Sequence, residues 1–338
     1  MRVAGSAGAA ALSPASAAAG DDLDPEIRGF VARTAEDLAA YPALSGLPVP
    51  EARHILEKVR ARWARGGPSM AQTVELDVPA RSGPVRLRIH RPAAAGPRPA
   101  LVYLHGGGWT YFSLDTHDRL MREYAARADV AVIGVDYSLA PEHKYPVALE
   151  QLLDVLKGLA TAGKALGVDP GRLAVGGDSA GANLAVAACL VLRDSGAPET
   201  VRGMVLNYGA FDVLRGAVLE HRYGGPGYML GSEEMQTYWA NYIRSEADLQ
   251  LPLVCPLRAE LTGLPPALLV IPECDLLAEQ GRAMADKLRA ARVPVQARVY
   301  PGATHSFLEA MSVAAVSRRA LGDTAIWLRE RLRDRLVA

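Results

Sequence analysis

The pentapeptide Gly177-Asp178-Ser179-Ala180-Gly181 sets a serine between two glycines at the spacing G-x-S-x-G. Before it, the apolar run Leu173-Ala174-Val175 reads as a buried strand; after it, 183–193 reads as a helix. A strand turning this sharply into a helix strains the serine backbone, and side chains two residues to either side would clash. The strain presents the Ser179 hydroxyl at a helix N-terminus, whose dipole favours developing negative charge. Such a serine attacks carbonyl groups. A tight strand-to-helix loop can have the same composition without any chemistry. The assignment therefore needs oxyanion donors before the serine, and an acid and then a histidine after it.

The donors are expected in His105-Gly106-Gly107-Gly108-Trp109, directly after the apolar run 100–104. Three successive glycines weaken any regular element, but they let the main chain pass close to a ligand with its N–H groups turned outward. Gly106 and Gly107, with Ala180 after the nucleophile, are the expected donors, each worth roughly 3 kcal/mol of transition-state stabilisation. Of seven histidines only His221 and His305 follow Ser179. His221 follows no expected strand, whereas His305 comes straight after the last one and is the expected base. Asp275, after the run 267–271, is the expected acid; Glu273 is a rival and Asp212 a weaker one. Asp178 is expected to hold the local backbone, His105 to shape the glycine loop, and Cys274 to be structural.

Elements must bring these segments together. Helical spacing covers 23–41, with Asp21 or Asp22 as its cap, and 51–65; both precede the first strand. Alternating residues at 74–78 and 85–90 read as an antiparallel pair around a turn at 80–83. Further strands fit 100–105, 130–135, 172–175, 203–207, 267–271 and 295–300. Helices fit 118–127, 148–161, 180–193, 281–291 and 313–336. Such alternation means a mostly parallel sheet covered on both faces. The stretch 211–264 interrupts it with a helix at 233–243 and loops rich in Gly and Pro. An insertion at the carboxyl end of a strand overhangs the ligand crevice.

Composition bounds the rest. The chain has 338 residues, is 50% hydrophobic and carries a formal net charge of +0. Neither the charge balance nor any basic run with aromatics supports nucleic-acid binding, and no apolar run reaches membrane-spanning length. Cys189, Cys255 and Cys274 are odd in number and lack metal-ligand spacing, so no metal or cofactor is expected and a reducing cytoplasm is. Residues 1–20, rich in Ala, Gly and Ser, read as a disordered extension rather than a signal peptide, because the would-be core lacks a Leu/Val/Ile run.

The motifs, in their order, resemble the hormone-sensitive-lipase-like family of α/β-hydrolases (bacterial lipolytic family IV). The resemblance spans 101–308. It takes in the loop 105–109, Leu114-Asp115-Thr116-His117-Asp118, Asp136-Tyr137-Ser138-Leu139-Ala140-Pro141-Glu142-His143, the serine turn, and Gly263-Leu264-Pro265-Pro266-Ala267. It implies an α/β-hydrolase fold: a mostly parallel eight-stranded sheet, helices on both faces and a helical cap. It also implies the triad Ser179, Asp275 and His305, and oxyanion donors Gly106, Gly107 and Ala180. The chain departs from the family pattern at Ala182 and Ser306, usually glycine, and at Leu276, usually proline. Tyr111 and Phe112 stand where the oxyanion loop normally relaxes into a glycine.

The expected organisation is an extension over 1–20, cap helices over 21–70, a core over 71–210 and 265–338, and a cap insertion over 211–264. The expected activity is a serine carboxylesterase acting on short acyl esters, because Tyr111 and Phe112 should shorten the pocket. Trp109, Tyr111, Phe112 and Tyr208 are the expected substrate-binding residues. An amidase or lactonase on the same residues is the alternative. A non-catalytic receptor of this fold is a further one, against which the intact His305 argues. The expected partner is a small-molecule ester, without nucleic acid or membrane insertion; the oligomeric state, homodimer included, is open.

Overall fold

β1 (Gln72–Val78) and β2 (Val85–Arg91) form the expected antiparallel pair, and β2 runs antiparallel to β4 (Ala131–Asp136). β3 (Arg98–Leu104), β5 (Val168–Asp178), β6 (Gly203–Asn207), β7 (Ala267–Pro272) and β8 (Val295–Tyr300) are parallel to β4 and to one another. The order across the sheet is β1-β2-β4-β3-β5-β6-β7-β8 in this computed structural model, which describes residues 20–93, 96–213 and 218–333.

This order places the site. Leu104 is opposite Gly177, so the glycine loop and the serine turn leave neighbouring strands side by side. Pro272 is opposite Tyr300, so the acid and histidine loops do the same two strands further on. All four segments lie at the carboxyl ends of parallel strands, where open α/β sheets bind ligands.

The inner strands β3 to β7 are apolar and largely buried on both sides because helices cover both faces. α4 (Val147–Ala162), α5 (Ala180–Asp194) and α8 (Ala278–Ala290) bury Leu152, Leu156, Leu184 and Met284 on one face. α3 (Asp118–Ala128) and α9 (Ala315–Arg331) bury Met121, Tyr124, Leu321 and Leu328 on the other. α9 begins later than its apolar pattern, because Phe307–Ser312 forms a separate short helix and Ala314 is extended. No helix among the described residues is long and apolar enough to cross a membrane.

α1 (Pro25–Ala39) is capped by Asp24 rather than by Asp21 or Asp22. Its carboxylate accepts the Glu26 and Ile27 N–H groups, and Pro25 takes the first helical position, where no N–H is needed. α2 (Val49–Ala64) packs on α1 through Trp63, whose ring meets Phe30 edge-on at 4.8 Å and whose indole N–H donates to Thr34. α2 also reaches the sheet: Arg53 donates to the Thr110 and Ala140 carbonyls and grips Glu142 with two nitrogens. Within the insertion, α6 (Val218–Tyr223) precedes α7 (Ser232–Tyr242). α7 buries Trp239 and Tyr242 against Trp109 of the glycine loop. Residues 1–19, most of the expected extension, lie outside the described residues.

Candidate active site

Ser179 has φ 53° and ψ −116°, the strained backbone that the glycine spacing implied, and its N–H donates to Asn207 O at 2.9 Å. The strain is enforced by packing: a Cβ at Gly177 or at Gly181 would strike the Leu104 carbonyl oxygen at the end of β3. Ala182, which departs from the expected glycine, is fully buried in the core cluster.

His305 and Ser179 share the wall of one cavity of about 390 Å³. His305 Nδ1 lies 2.8 Å from Asp275 Oδ2, and Asp275 Oδ1 accepts the Leu277 N–H at 2.9 Å. Asp275 is 1% exposed and His305 5%, so the pair is shielded from bulk water. Glu273 turns away, accepting the Gly302 N–H, and Asp212 is paired with Arg258. His221 is exposed on α6. Ser306 holds φ 59°, the left-handed backbone that favours the glycine expected after the histidine.

The glycine loop corrects one expectation. The Gly106 N–H donates to Asp178 Oδ1 at 3.1 Å and so is not free for a substrate oxygen. Gly107 and Gly108 line the cavity instead, and among the described residues neither N–H meets an acceptor. Gly108 (φ 59°) passes so close beneath α7 that a Cβ there would enter the Tyr238 ring. Ala180 opens α5, among the first-turn N–H groups that a helix leaves unpaired. Asp178 holds the backbone as expected, and also accepts from Tyr103 Oη at 2.7 Å. His105 bonds Gly106 O at 2.7 Å and stacks on Tyr137; burial lowers its pKa to about 4, which keeps it neutral.

Of the four expected substrate-binding residues, Phe112 alone is on the cavity wall. Trp109 stacks on Tyr242 at 4.2 Å, joining the loop to the insertion. Tyr111 meets Tyr238 edge-on, and Tyr208 packs its ring against that of His305 at 4.9 Å. Phe112 has φ 71°, costly for a bulky side chain, and is held there by the Arg60 guanidinium 4.8 Å above its ring. Cys274 is buried, which pushes its thiol up to about 11 and keeps it protonated.

Sequence reasoning missed Arg60. It lines the cavity from α2 and donates to Glu309 Oε2 at 2.6 Å, both side chains less than a tenth exposed. Further parts of the wall come from Val31, Ala35 and Leu38 of α1, Leu56 and Val59 of α2, Tyr238 of α7 and the loop 227–230 before it.

The fold and this site define a class: the chain belongs to the α/β-hydrolase-fold family, whose profile matches residues 101–309, in its hormone-sensitive-lipase-like branch. The structure is similar to that of a hyperthermophilic esterase from the archaeon Pyrobaculum calidifontis, with 33% identity and a TM-score of 0.85 over 91% of this chain and 98% of that one. It is also similar to a thermophilic, thermostable carboxylesterase cloned from a metagenomic library: 33% identity, TM-score 0.82, 85% of this chain and 99% of that one. A thermostable esterase from Pseudomonas putida superposes at TM-score 0.87 with 29% identity, over 93% of this chain and 99% of that one.

Proposed function

We propose that the protein hydrolyses carboxylic esters through an acyl-enzyme on Ser179. The observation that carries this reading is that His305, its Nδ1 bonded to a buried carboxylate, shares a cavity wall with the strained serine. Nδ1 must donate to Asp275, so Nε2 presents its lone pair to the cavity and can take the hydroxyl proton. The Ser179 oxygen then bonds the acyl carbon, the carbonyl oxygen becomes an oxyanion, and the N–H groups of Gly107, Gly108 and Ala180 stabilise it. Collapse returns the proton through His305 to the leaving alcohol, and water repeats the sequence on the acyl-enzyme. The esterases among the structural relatives support an ester substrate.

α1, α2 and the insertion act on this reading as the cap. Phe112 limits the acyl side: its ring lies against Gly107, such that a Cβ at that glycine would touch it. An acyl chain therefore meets an aromatic wall soon after the carbonyl, and each methylene left unburied forfeits about 0.8 kcal/mol. The expected preference is for acyl groups of about two to six carbons. A p-nitrophenyl ester series from acetate to palmitate tests it through kcat/KM. An optimum at dodecanoate or longer would refute the short pocket and place the acyl chain along Val31 and Leu38 instead.

A further inference from the structure

His117, the residue before α3, is 2% exposed beneath the oxyanion loop, and the mechanism above does not use it. Its ring lies 5.5 Å from that of His105 at the start of the loop and 6.0 Å from that of Phe112 at its end. Its Nδ1 is 2.9 Å from Thr116 Oγ1, and its Nε2 is 3.4 Å from Asp178 Oδ2.

The partners fix where the protons are. The Ser113 carbonyl can only accept, so the single Thr116 hydroxyl proton goes to it, at 2.9 Å. Thr116 Oγ1 then accepts, from the Ser113 N–H at 3.1 Å and from His117 Nδ1, which must carry a proton. Nε2 faces a carboxylate oxygen, which also only accepts, so it must carry one too. With both nitrogens protonated, the ring is an imidazolium.

The surrounding charges agree. Burial opposes the charged ring, but Asp178 in contact and Glu309 further off outweigh it, against Arg60, and hold His117 above the ordinary histidine range. His105 on the other side is neutral, its own protonation further opposed by the His117 charge. Glu57 of α2 is a further carboxyl coupled to the ring, raised by burial, with the His117 charge pulling it back.

Asp178 passes this fixation on, because the oxygen that accepts from Tyr103 also accepts the Gly106 N–H. Resting on the serine-hydrolase reading, we infer that His117 is a positioning residue. Paired as an imidazolium with Asp178, it fixes the carboxylate that anchors Gly106 and so aims the N–H groups of Gly107 and Gly108 at the reacting oxygen. When His117 loses its Nε2 proton, a lone pair faces the carboxylate, the anchor loosens and turnover falls. The pair thus sets an alkaline limb that the His305–Asp275 couple does not supply.

Two variants test this with p-nitrophenyl butyrate across the pH profile. His117→Leu removes the donor, and kcat should fall about tenfold to a hundredfold with KM within about twofold of wild type. His117→Gln puts a non-titrating N–H near the position of Nε2. It should keep most of the activity, and its rate should no longer fall on the alkaline side where the wild-type rate does. If His117→Leu does not fold, the His117→Gln profile decides. An active wild type with kcat unchanged in His117→Leu, or an alkaline limb unmoved in His117→Gln, would overturn the inference alone. A wild type inert to p-nitrophenyl esters would overturn the hydrolase reading and the inference with it.

Discussion

Arg60→Met should destabilise the fold strongly. Arg60 is joined to Glu309 at 2.6 Å, with side-chain exposures of 7% and 4%. Methionine would leave the Glu309 carboxylate buried without its cation, a defect that costs about 3–5 kcal/mol in buried pairs. It would also remove the guanidinium from above Phe112, worth about 0.5–2 kcal/mol. Because Arg60 borders the cavity, water can reach part of the defect, so the expected loss is nearer about 3 kcal/mol than the upper limit. Urea unfolding, followed by tryptophan fluorescence and far-UV circular dichroism and required to give coincident transitions, reads this directly. The double variant Arg60→Met with Glu309→Leu removes both charges and should recover most of the loss, as a strongly non-additive cycle. A loss below about 1 kcal/mol in Arg60→Met, or simple additivity in the double variant, would refute the reasoning.

Asp275→Asn should lower kcat by about four orders of magnitude by holding His305 in the wrong tautomer, whereas Glu273→Gln, whose amide oxygen can still accept the Gly302 N–H, should cost far less; the reverse ranking in steady-state kinetics would hand the acid role to Glu273. Phe112→Gly should relieve the positive φ and open the acyl side, moving the optimum of the p-nitrophenyl series to longer chains; an unmoved optimum would show that the ring does not limit the acyl group.

What the sequence made legible follows strand ends. The serine turn, the glycine loop and the segments carrying Asp275 and His305 each announce themselves by local spacing after an apolar run, and the sheet order then brings them together. What it hid depends on contacts between distant residues. Gly106 and Gly108 look equivalent in a run of three, and only Asp178, some 72 positions on, makes one N–H an anchor. Trp109 reads as a pocket aromatic because nothing local indicates that Trp239 and Tyr242 will cover it. Arg60 and Glu309 lie 249 positions apart, one on an amphipathic helix where a cation ordinarily faces water. The cap of α1 was missed for a smaller reason: three aspartates stand near its start, and only Asp24 precedes the proline that opens the helix.

The central claim is that Ser179 forms a covalent acyl intermediate, and trapping that residue tests it most directly. The wild-type protein, treated with a fluorophosphonate and digested, should carry the phosphonyl mass on the peptide containing Ser179. Ser179→Ala should take up no label and lose ester turnover while unfolding at the same urea midpoint. Label on another residue, or a Ser179→Ala variant keeping more than about a hundredth of wild-type kcat, would contradict the account.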